Sequence, residues 1–515
     1  MDFESQPLNQ LNMSKEGEPG FMKPGDVTTY DEAMDALSSL ITKKNRADKI
    51  VVDHRYELMF DYVKILELEE PISQMKIIHV AGTKGKGSTC VFTESILRSC
   101  GFRTGLFTSP HLIDVTERFQ LNGKDISKEK FLAYFWWCWD RLKQKCIDDI
   151  PMPTLFRFLA LLAFKLFSEE QVDVLILEVG LGGKTDATNV VKTPVVCGIT
   201  PLGYDHTEVL GNTLGEIAGE KAGIFKKGVP AFTVSQPEEA MQVLKDTASH
   251  LNVDLQVAKQ LDTKLLNGLH LGLAGDHQYI NAGLAIKLTS TWLQKMGHQS
   301  LVPTSCCLSE EFIKGLTSAK LQGRAQIIES QSQSQGQSEG DVVFYLDGAH
   351  SPESMQVCAN WFSNAVKEDN SMKDSEQILL FNCMSVRDPQ LLFPQLMDTC
   401  AGHGIHFKKA IFVPNMSLYN KVGSTSSLPT PDSQVNNSWQ LTLQRVWDNI
   451  QKGKCENNDM VKDDNESKYS MVFASLPLAI NWLRDSVRQN KSPRLQVLVT
   501  GSLHLVGDVM KLVKT

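Results

Sequence analysis

The chain has 515 residues, 42% of them hydrophobic and 22% charged, with a formal charge of −8 at pH 7. That length favours two domains, and that balance is ordinary for a globular protein. The negative charge excludes a general nucleic-acid binder, so any anionic ligand must find local basic groups against it.

Residues 1–27 are polar and punctuated by Gly and Pro, and read as a disordered tail. Asp2 and Glu4 stand where a transit peptide would be acid-poor, no arginine precedes Arg46, and no apolar signal core is present. The expected address is the cytosol, with an organellar form left open. Eleven cysteines are scattered without a Cys-x-x-Cys pair, which speaks against zinc and for reduced thiols. Helices are expected over Tyr30–Ile41 and Arg55–Leu66 from their apolar spacing.

Ile77–Ala81 is an apolar run that reads as a buried strand, followed by glycines at 82, 85 and 87 and then a helical pattern from Ser88. A strand, a glycine loop and a helix start form an anion site, because backbone N–H groups and the helix N-terminus converge there. Lys86 adds charge for β/γ-phosphates, and Ser88 offers a hydroxyl to phosphate or Mg²⁺. The standard P-loop has glycine where this chain has Val80 and Ser/Thr where it has Gly87.

Gly105–Phe107 reads as a short strand ending at Thr108-Ser109-Pro110-His111. Taken alone, Ser109 belongs to a Ser-Pro turn, although a hydroxyl at a strand end beside a phosphate loop can ligate Mg²⁺. Arg118 is either a surface arginine or a group facing an anionic substrate. Phe131–Lys145, with three tryptophans, reads as a packed helix. Leu155–Phe167 is apolar but carries Arg157 and Lys165 and is too short to span a bilayer, so it reads as a buried helix.

Val172–Leu177 is a buried-strand signal running straight into Glu178 and a glycine-rich segment. A carboxylate at the carboxyl end of such a strand faces the ligand crevice of an open α/β sheet and is the place for an acid that holds Mg²⁺. Val195–Ile199 is the next strand, leading to His206, which is a ligand, an acid–base group or a loop residue. Lys221 reads on its own as a solvated helix lysine. A strand over Val229–Val234 and a helix over Glu238–His250 follow. His277, Gln278 and Asn281 open a helix and can reach a nucleotide base. Residues 330–340 are a Ser/Gln/Gly insert of low complexity. Val342–Leu346 is a strand ending in Asp347-Gly348-Ala349-His350, again a carboxylate and an imidazole at a crevice. Strands are expected at Ile378–Asn382, Ile411–Val413, Met471–Ser475 and Gln496–Thr500, with polar loops over 415–440 and 452–470. The alternation suggests a smaller Rossmann-like unit with no Gly-x-Gly-x-x-Gly dinucleotide fingerprint.

The segments Gly82–Ser88, Thr108–His111, Glu178–Asn189, Ile217–Lys226, Gly275–Ala282, Gly323–Arg324 and Asp347–His350, in this order, resemble the folylpolyglutamate synthase family of the Mur-ligase superfamily. The resemblance runs from about 30 to 510 and is plant-like in detail. It implies an α/β fold: a Mur-ligase-like P-loop ATPase domain with a mostly parallel central sheet over 28–319, and a smaller Rossmann-like domain over 320–515. It implies ATP binding by Gly82, Thr83, Gly85, Lys86, Gly87, Ser88, Asn281, Arg324 and Asp347. Mg²⁺ falls to Ser109, Glu178 and His206, folate to Arg118, and chemistry to Lys221 and His350. Lys221 is expected to be carbamylated, and a monovalent cation is admitted. One departure is Leu321-Gln322, where Trp-Pro is common in the family.

What the resemblance implies is a ligase that activates a folate γ-carboxylate with ATP as an acyl phosphate and couples it to L-glutamate, retaining folates for one-carbon metabolism. The implied partners are small molecules, with no nucleic acid, no membrane and a monomeric chain. Alternatives are a dihydrofolate synthase or bifunctional enzyme, a cell-wall Mur ligase for which residues 1–70 leave too little room, and a non-enzymatic ATP-binding regulator.

Overall fold

Continuous apolar runs such as Ile77–Ala81 and Val174–Glu178 bury both faces of a strand, and such runs belong in parallel sheets covered by helices. The computed structural model describes residues 29–41, 52–145, 150–304, 307–330, 342–369, 375–417, 437–455, 469–490 and 494–514. The expected tail 1–27 and nearly all of the insert 330–340 lie outside the described residues.

The first sheet holds β1 (Ile77–Ala81), β2 (Thr104–Phe107), β3 (Phe119–Leu121), β4 (Lys124–Asp125), β5 (Val174–Glu178), β6 (Val196–Ile199), β7 (Ala231–Thr233) and β8 (Leu255–Val257). Their order is β4-β3-β2-β5-β1-β6-β7-β8. Pairing is parallel from β2 to β8, and β3 and β4 extend one edge antiparallel. β1 lies between β5 and β6, so the ends of all three open on one crevice, where strand ends in such sheets bind ligands. Helices Lys128–Lys145 and Leu155–Glu169 cover one face, and helices Lys86–Ser99, His277–Lys295 and Glu310–Ser318 the other.

The second sheet holds β9 (Gln326–Ser330), β10 (Val342–Leu346), β11 (Ser375–Phe381), β12 (Phe407–Phe412), β13 (Ser470–Val472) and β14 (Arg494–Thr500), in the order β13-β12-β11-β14-β10-β9. Only β9 runs antiparallel. Two apolar clusters, one on each face, seal this sheet against its helices.

The expected strands are all present: Ile77–Ala81 and Val342–Leu346 have the expected bounds, and the others have ends moved by up to four residues. Helix Leu155–Glu169 is buried as expected, and no helix among the described residues is long and apolar enough to cross a membrane. One helix starts at Lys86, two residues before the expected Ser88, and another at His277, where it is expected to open. In both, polar cavity residues occupy the first turn, where apolar periodicity carries no signal. The polar stretches read as loops over 415–440 and 452–470 are entered at both ends by helix Ser438–Cys455.

Candidate active site

The glycine loop is held by contacts that leave no room for side chains. A Cβ on Gly82, at φ +145°, would stand 1.9 Å from Thr200 Oγ1, and one on Gly85, at φ +82°, 2.2 Å from Asn281 Oδ1. Positive φ and close approach both demand glycine there. The N–H groups of Thr83 and Lys84 donate to the Pro201 carbonyl at 3.1 and 3.0 Å. They hold the loop to the end of β6. Lys86, Gly87 and Ser88 open the helix, where N–H groups lack partners within the helix, and they line the cavity.

That cavity has a volume of about 2320 Å³ and is walled by both sheets. Thr83, Gly85, Lys86, Gly87, Ser88, Ser109, Arg118, Glu178, His206, Asn281, Arg324, Asp347 and His350 all line it. Gly82 and Lys221 do not; they line an adjoining pocket of about 30 Å³ together with Lys86 and His206.

Glu178 ends β5 and is 4% exposed. Its Oε2 accepts the N–H of Ser109 at 2.9 Å, and its carboxylate lies 3.9 Å from where a Cβ on Gly87 would be. Burial pushes its pKa up, while Lys86, the Ser109 N–H, Arg324 and Arg118 pull it back. His206 adopts φ +53° beside the cavity, its Nδ1 3.7 Å from Glu208 and its Nε2 3.9 Å from Asp205. Among the described residues, no three His, Cys, Asp or Glu side chains cluster closely enough to hold a metal alone. A buried carboxylate beside a hydroxyl and a phosphate cradle nevertheless fits Mg²⁺, which takes few protein ligands and fills its sphere with water and phosphate oxygens.

Lys221 is not a solvated lysine. It is 4% exposed, and its Nζ donates to the Gly82 carbonyl at 2.8 Å. Burial, reinforced by the Lys86 charge, brings its pKa down to about 7, against the pull of Asp205 and Asp186. At the start of helix His277–Lys295, Asn281 Nδ2 donates to Gln278 Oε1 at 2.9 Å, and Gln278 Nε2 lies 3.0 Å from His277 Nε2. Asn281 Oδ1 is buried with no hydrogen-bond partner, an acceptor awaiting a donor.

Arg118 is not a surface arginine either. It is buried, and its Nε donates to His111 Nδ1 at 2.9 Å. Burial lowers its pKa to about 10, with Glu178 and Glu117 favouring the cation. From the second sheet, Asp347 accepts the N–H groups of Ala325 at 2.9 Å and Ala349 at 3.0 Å, which fixes it beside Arg324. His350 Nδ1 lies 2.8 Å from the Gly348 carbonyl. A carbonyl only accepts, so Nδ1 carries the proton and Nε2 keeps its lone pair. Burial lowers the His350 pKa to about 4, so the ring is neutral at pH 7.

Sequence reasoning missed three features. Asp205 joins Lys84 of the glycine loop, at 3.0 Å, to Arg387 of the second sheet, at 3.4 Å. Burial raises the Asp205 pKa, but Lys84, His206 and Arg387 more than offset that and hold it well below the usual carboxylate range. The second is an apolar-and-charged wall of Phe156, Arg157, Lys184 and Asp186, where the Phe156 ring lies 2.4 Å from a Cβ built on Gly180. The third is His504, brought to the cavity by the C-terminal helix. Asp205 and Arg387 each carry a local signal, a charged residue just past a strand, but nothing local pairs them.

No protein-family model matches the chain. It is 59% identical to folylpolyglutamate synthase of Arabidopsis thaliana over 98% of this chain and 90% of that protein. The structure resembles that of folylpolyglutamate synthase from Thermotoga maritima with a TM-score of 0.64 and 25% identity, covering 94% of this chain and 97% of that one. It shares its fold, with a TM-score of 0.67 at 21% identity over 95% and 99% of the two chains, with the Mycobacterium tuberculosis synthase complexed with ADP and AMPPCP. With a phosphate cradle, a buried carboxylate beside it and a likeness spanning almost its whole length, the chain belongs to the folylpolyglutamate synthase family.

Proposed function

We propose that the chain is an ATP-dependent ligase that adds L-glutamate in γ-linkage to tetrahydrofolate and its polyglutamates. The observation that carries the reading is the convergence, in one cavity between two sheets, of the Lys86–Ser88 cradle with Glu178, Ser109 and Arg118 on one side and Arg324, Asp347 and His350 on the other. We take 28–319 as the ATP- and folate-binding domain and 320–515 as the domain that completes the cavity.

The first-turn N–H groups and Lys86 hold the phosphates, and Gln278 and Asn281 line the cavity beside them, on the side left for the nucleotide. Ser109, Glu178 and His206 would hold Mg²⁺, which supplies charge neutralisation at the phosphate oxygens when bound. The Arg118 cation, already paired through Nε, offers its remaining N–H groups to a folate carboxylate. A γ-carboxylate oxygen attacks the terminal phosphorus of ATP, the bond to ADP breaks, and an acyl phosphate forms. The amine of L-glutamate, having lost its ammonium proton, then attacks the acyl carbon; the C–N bond forms, the C–O bond to phosphate breaks, and a second amine proton leaves with the departing phosphate as hydrogen phosphate. Arg324 stabilises the charge that develops on the transferred group, and the neutral His350 offers Nε2 as an acceptor for the incoming ammonium. Lys221 is half neutral near pH 7, the form that adds CO₂, so a carbamate there is chemically accessible. The chain acts as a monomer on small molecules, and free cysteines such as Cys90, Cys197 and Cys358 suit a reducing cytosol.

The test is ATP-dependent incorporation of labelled L-glutamate with tetrahydrofolate and dihydropteroate as separate acceptors. Incorporation is expected with tetrahydrofolate alone. Glu178→Ala is expected to remove at least about 99% of it, given the site's dependence on charge neutralisation. Incorporation with dihydropteroate, or full activity of Glu178→Ala, contradicts the reading.

A further inference from the structure

The loop that carries Ser109 and leads to Arg118 starts and ends in the first sheet, but its middle is seated in the second. Leu112 and Ile113 pack against the apolar cluster that includes Leu505, Val506 and Val509. A Cβ on Gly507 would stand 2.2 Å from the Leu112 carbonyl oxygen. One on Gly323, at φ +69°, would stand 2.8 Å from Leu112 Cδ2 and 3.1 Å from Val506 Cγ1. Two glycines, one on the segment joining the sheets and one on the C-terminal helix Leu503–Lys514, are thus bare where Leu112 enters.

The loop is stiff on either side of this seat. The Glu117 carboxylate accepts the N–H groups of Leu112, Ile113 and Asp114 at 2.7, 2.8 and 2.7 Å. His111 is tied to Arg118, and the Ser109 N–H to Glu178. These bonds tie the segment around Leu112 to Glu117 and Arg118 on one side and the segment at Ser109 to Glu178 on the other.

We propose that Leu112, seated between Gly323 and Gly507, is a positioning residue that registers the Ser109–Arg118 loop against the C-terminal layer and so sets the metal-and-folate side of the cavity from the far sheet. This rests on the ligase reading above. A half-buried leucine on a loop is otherwise only packing, so the test needs a readout that packing alone does not move.

Leu112→Ala, Leu112→Met and Gly507→Ala are compared with the parent chain. Calorimetry measures AMPPCP binding as Mg²⁺ is varied, steady-state kinetics gives separate KM values for the folate acceptor and L-glutamate, and thermal midpoints report folding. Leu112→Ala and Gly507→Ala are each expected to raise the Mg²⁺ concentration for half-maximal AMPPCP binding and the folate KM about ten-fold, as small misplacements in a site do. The L-glutamate KM stays near the parent value. Leu112→Met refills the seat and recovers both to within about three-fold, as volume-conserving swaps do. A lowered thermal midpoint with unchanged Mg²⁺ dependence and unchanged folate KM overturns the proposal, and if Gly507→Ala does not fold, the two Leu112 variants decide it. If the parent makes no γ-glutamyl product while the Mg²⁺ shift in AMPPCP binding is still seen, the ligase reading fails and the positioning role stands.

Discussion

Individual residues in this site are set by what lies against them. Gly85 shows this most sharply, because Asn281 occupies the place of its missing side chain. Gly85→Ala is expected to displace Asn281 and distort the cradle, lowering kcat/KM for ATP about a hundred-fold. Gly101→Ala, also at positive φ but with nothing within 4 Å, is the control and leaves kcat/KM unchanged. Lys221 makes a second case. Its folded pKa of about 7 lies below the 10.5 of the ordinary side chain. Between those values the unfolded chain binds the extra proton, so this group makes stability rise with pH from about 7 to about 10. In CO₂-free buffer, urea midpoints of the parent are expected to climb over that window relative to those of Lys221→Met, and parallel curves contradict the assignment. Glu178 was legible in the sequence because an apolar run leads directly into it. The burial of Lys221 and Arg118 was not, because nothing in their local segments distinguishes a lysine or arginine aimed inward from one aimed at water.

At the scale of elements, the aromatic helix Lys128–Lys145 shows where composition alone is ambiguous. Three tryptophans on one helix could stack on a ligand, but the sequence reading of a packed helix holds. Phe135 is fully buried and stacks on Trp139 at 5.5 Å and on Phe131 at 5.8 Å, with Phe158 at 5.2 Å from the facing helix. Phe135→Ala is therefore expected to cost about 3–5 kcal/mol of stability, read from urea unfolding, with substrate KM values unchanged. A KM shift without a stability loss would indicate a ligand-facing role instead. The long parallel strands announced themselves by apolar runs. The short ones did not: β3 and β4 are three- and two-residue edge strands whose pairing is antiparallel and local, and β8 is mostly exposed. In β9 the edge position leaves Ile327 48% exposed, which blurs the buried pattern. Helix Ser438–Cys455 was obscured by the polar stretches on both sides of it.

Across the whole molecule, the sequence placed each ligand-type residue at a strand end but could not place two sheets around one cavity. The Lys84–Asp205–Arg387 bridge runs from a glycine loop on one sheet to a turn on the other, and its Asp205–Arg387 step alone joins residues 182 positions apart. Likewise Leu112 reaches from the first sheet into the apolar layer of the second. These contacts depend on how the two sheets face each other, which no local pattern encodes. Under the proposed function the chemistry would need both: Lys86, Ser88 and Arg118 line the cavity from the first sheet, and Arg324 and His350 line it from the second. Under the proposed function this cavity joins carboxylate and amine through an acyl phosphate. That step is tested most directly by supplying a folate acceptor labelled with ¹⁸O in its γ-carboxylate, together with ATP and L-glutamate, and measuring the isotope in the released phosphate. One ¹⁸O is expected to pass to inorganic phosphate for every amide formed. Product formation with no ¹⁸O in the phosphate would contradict it.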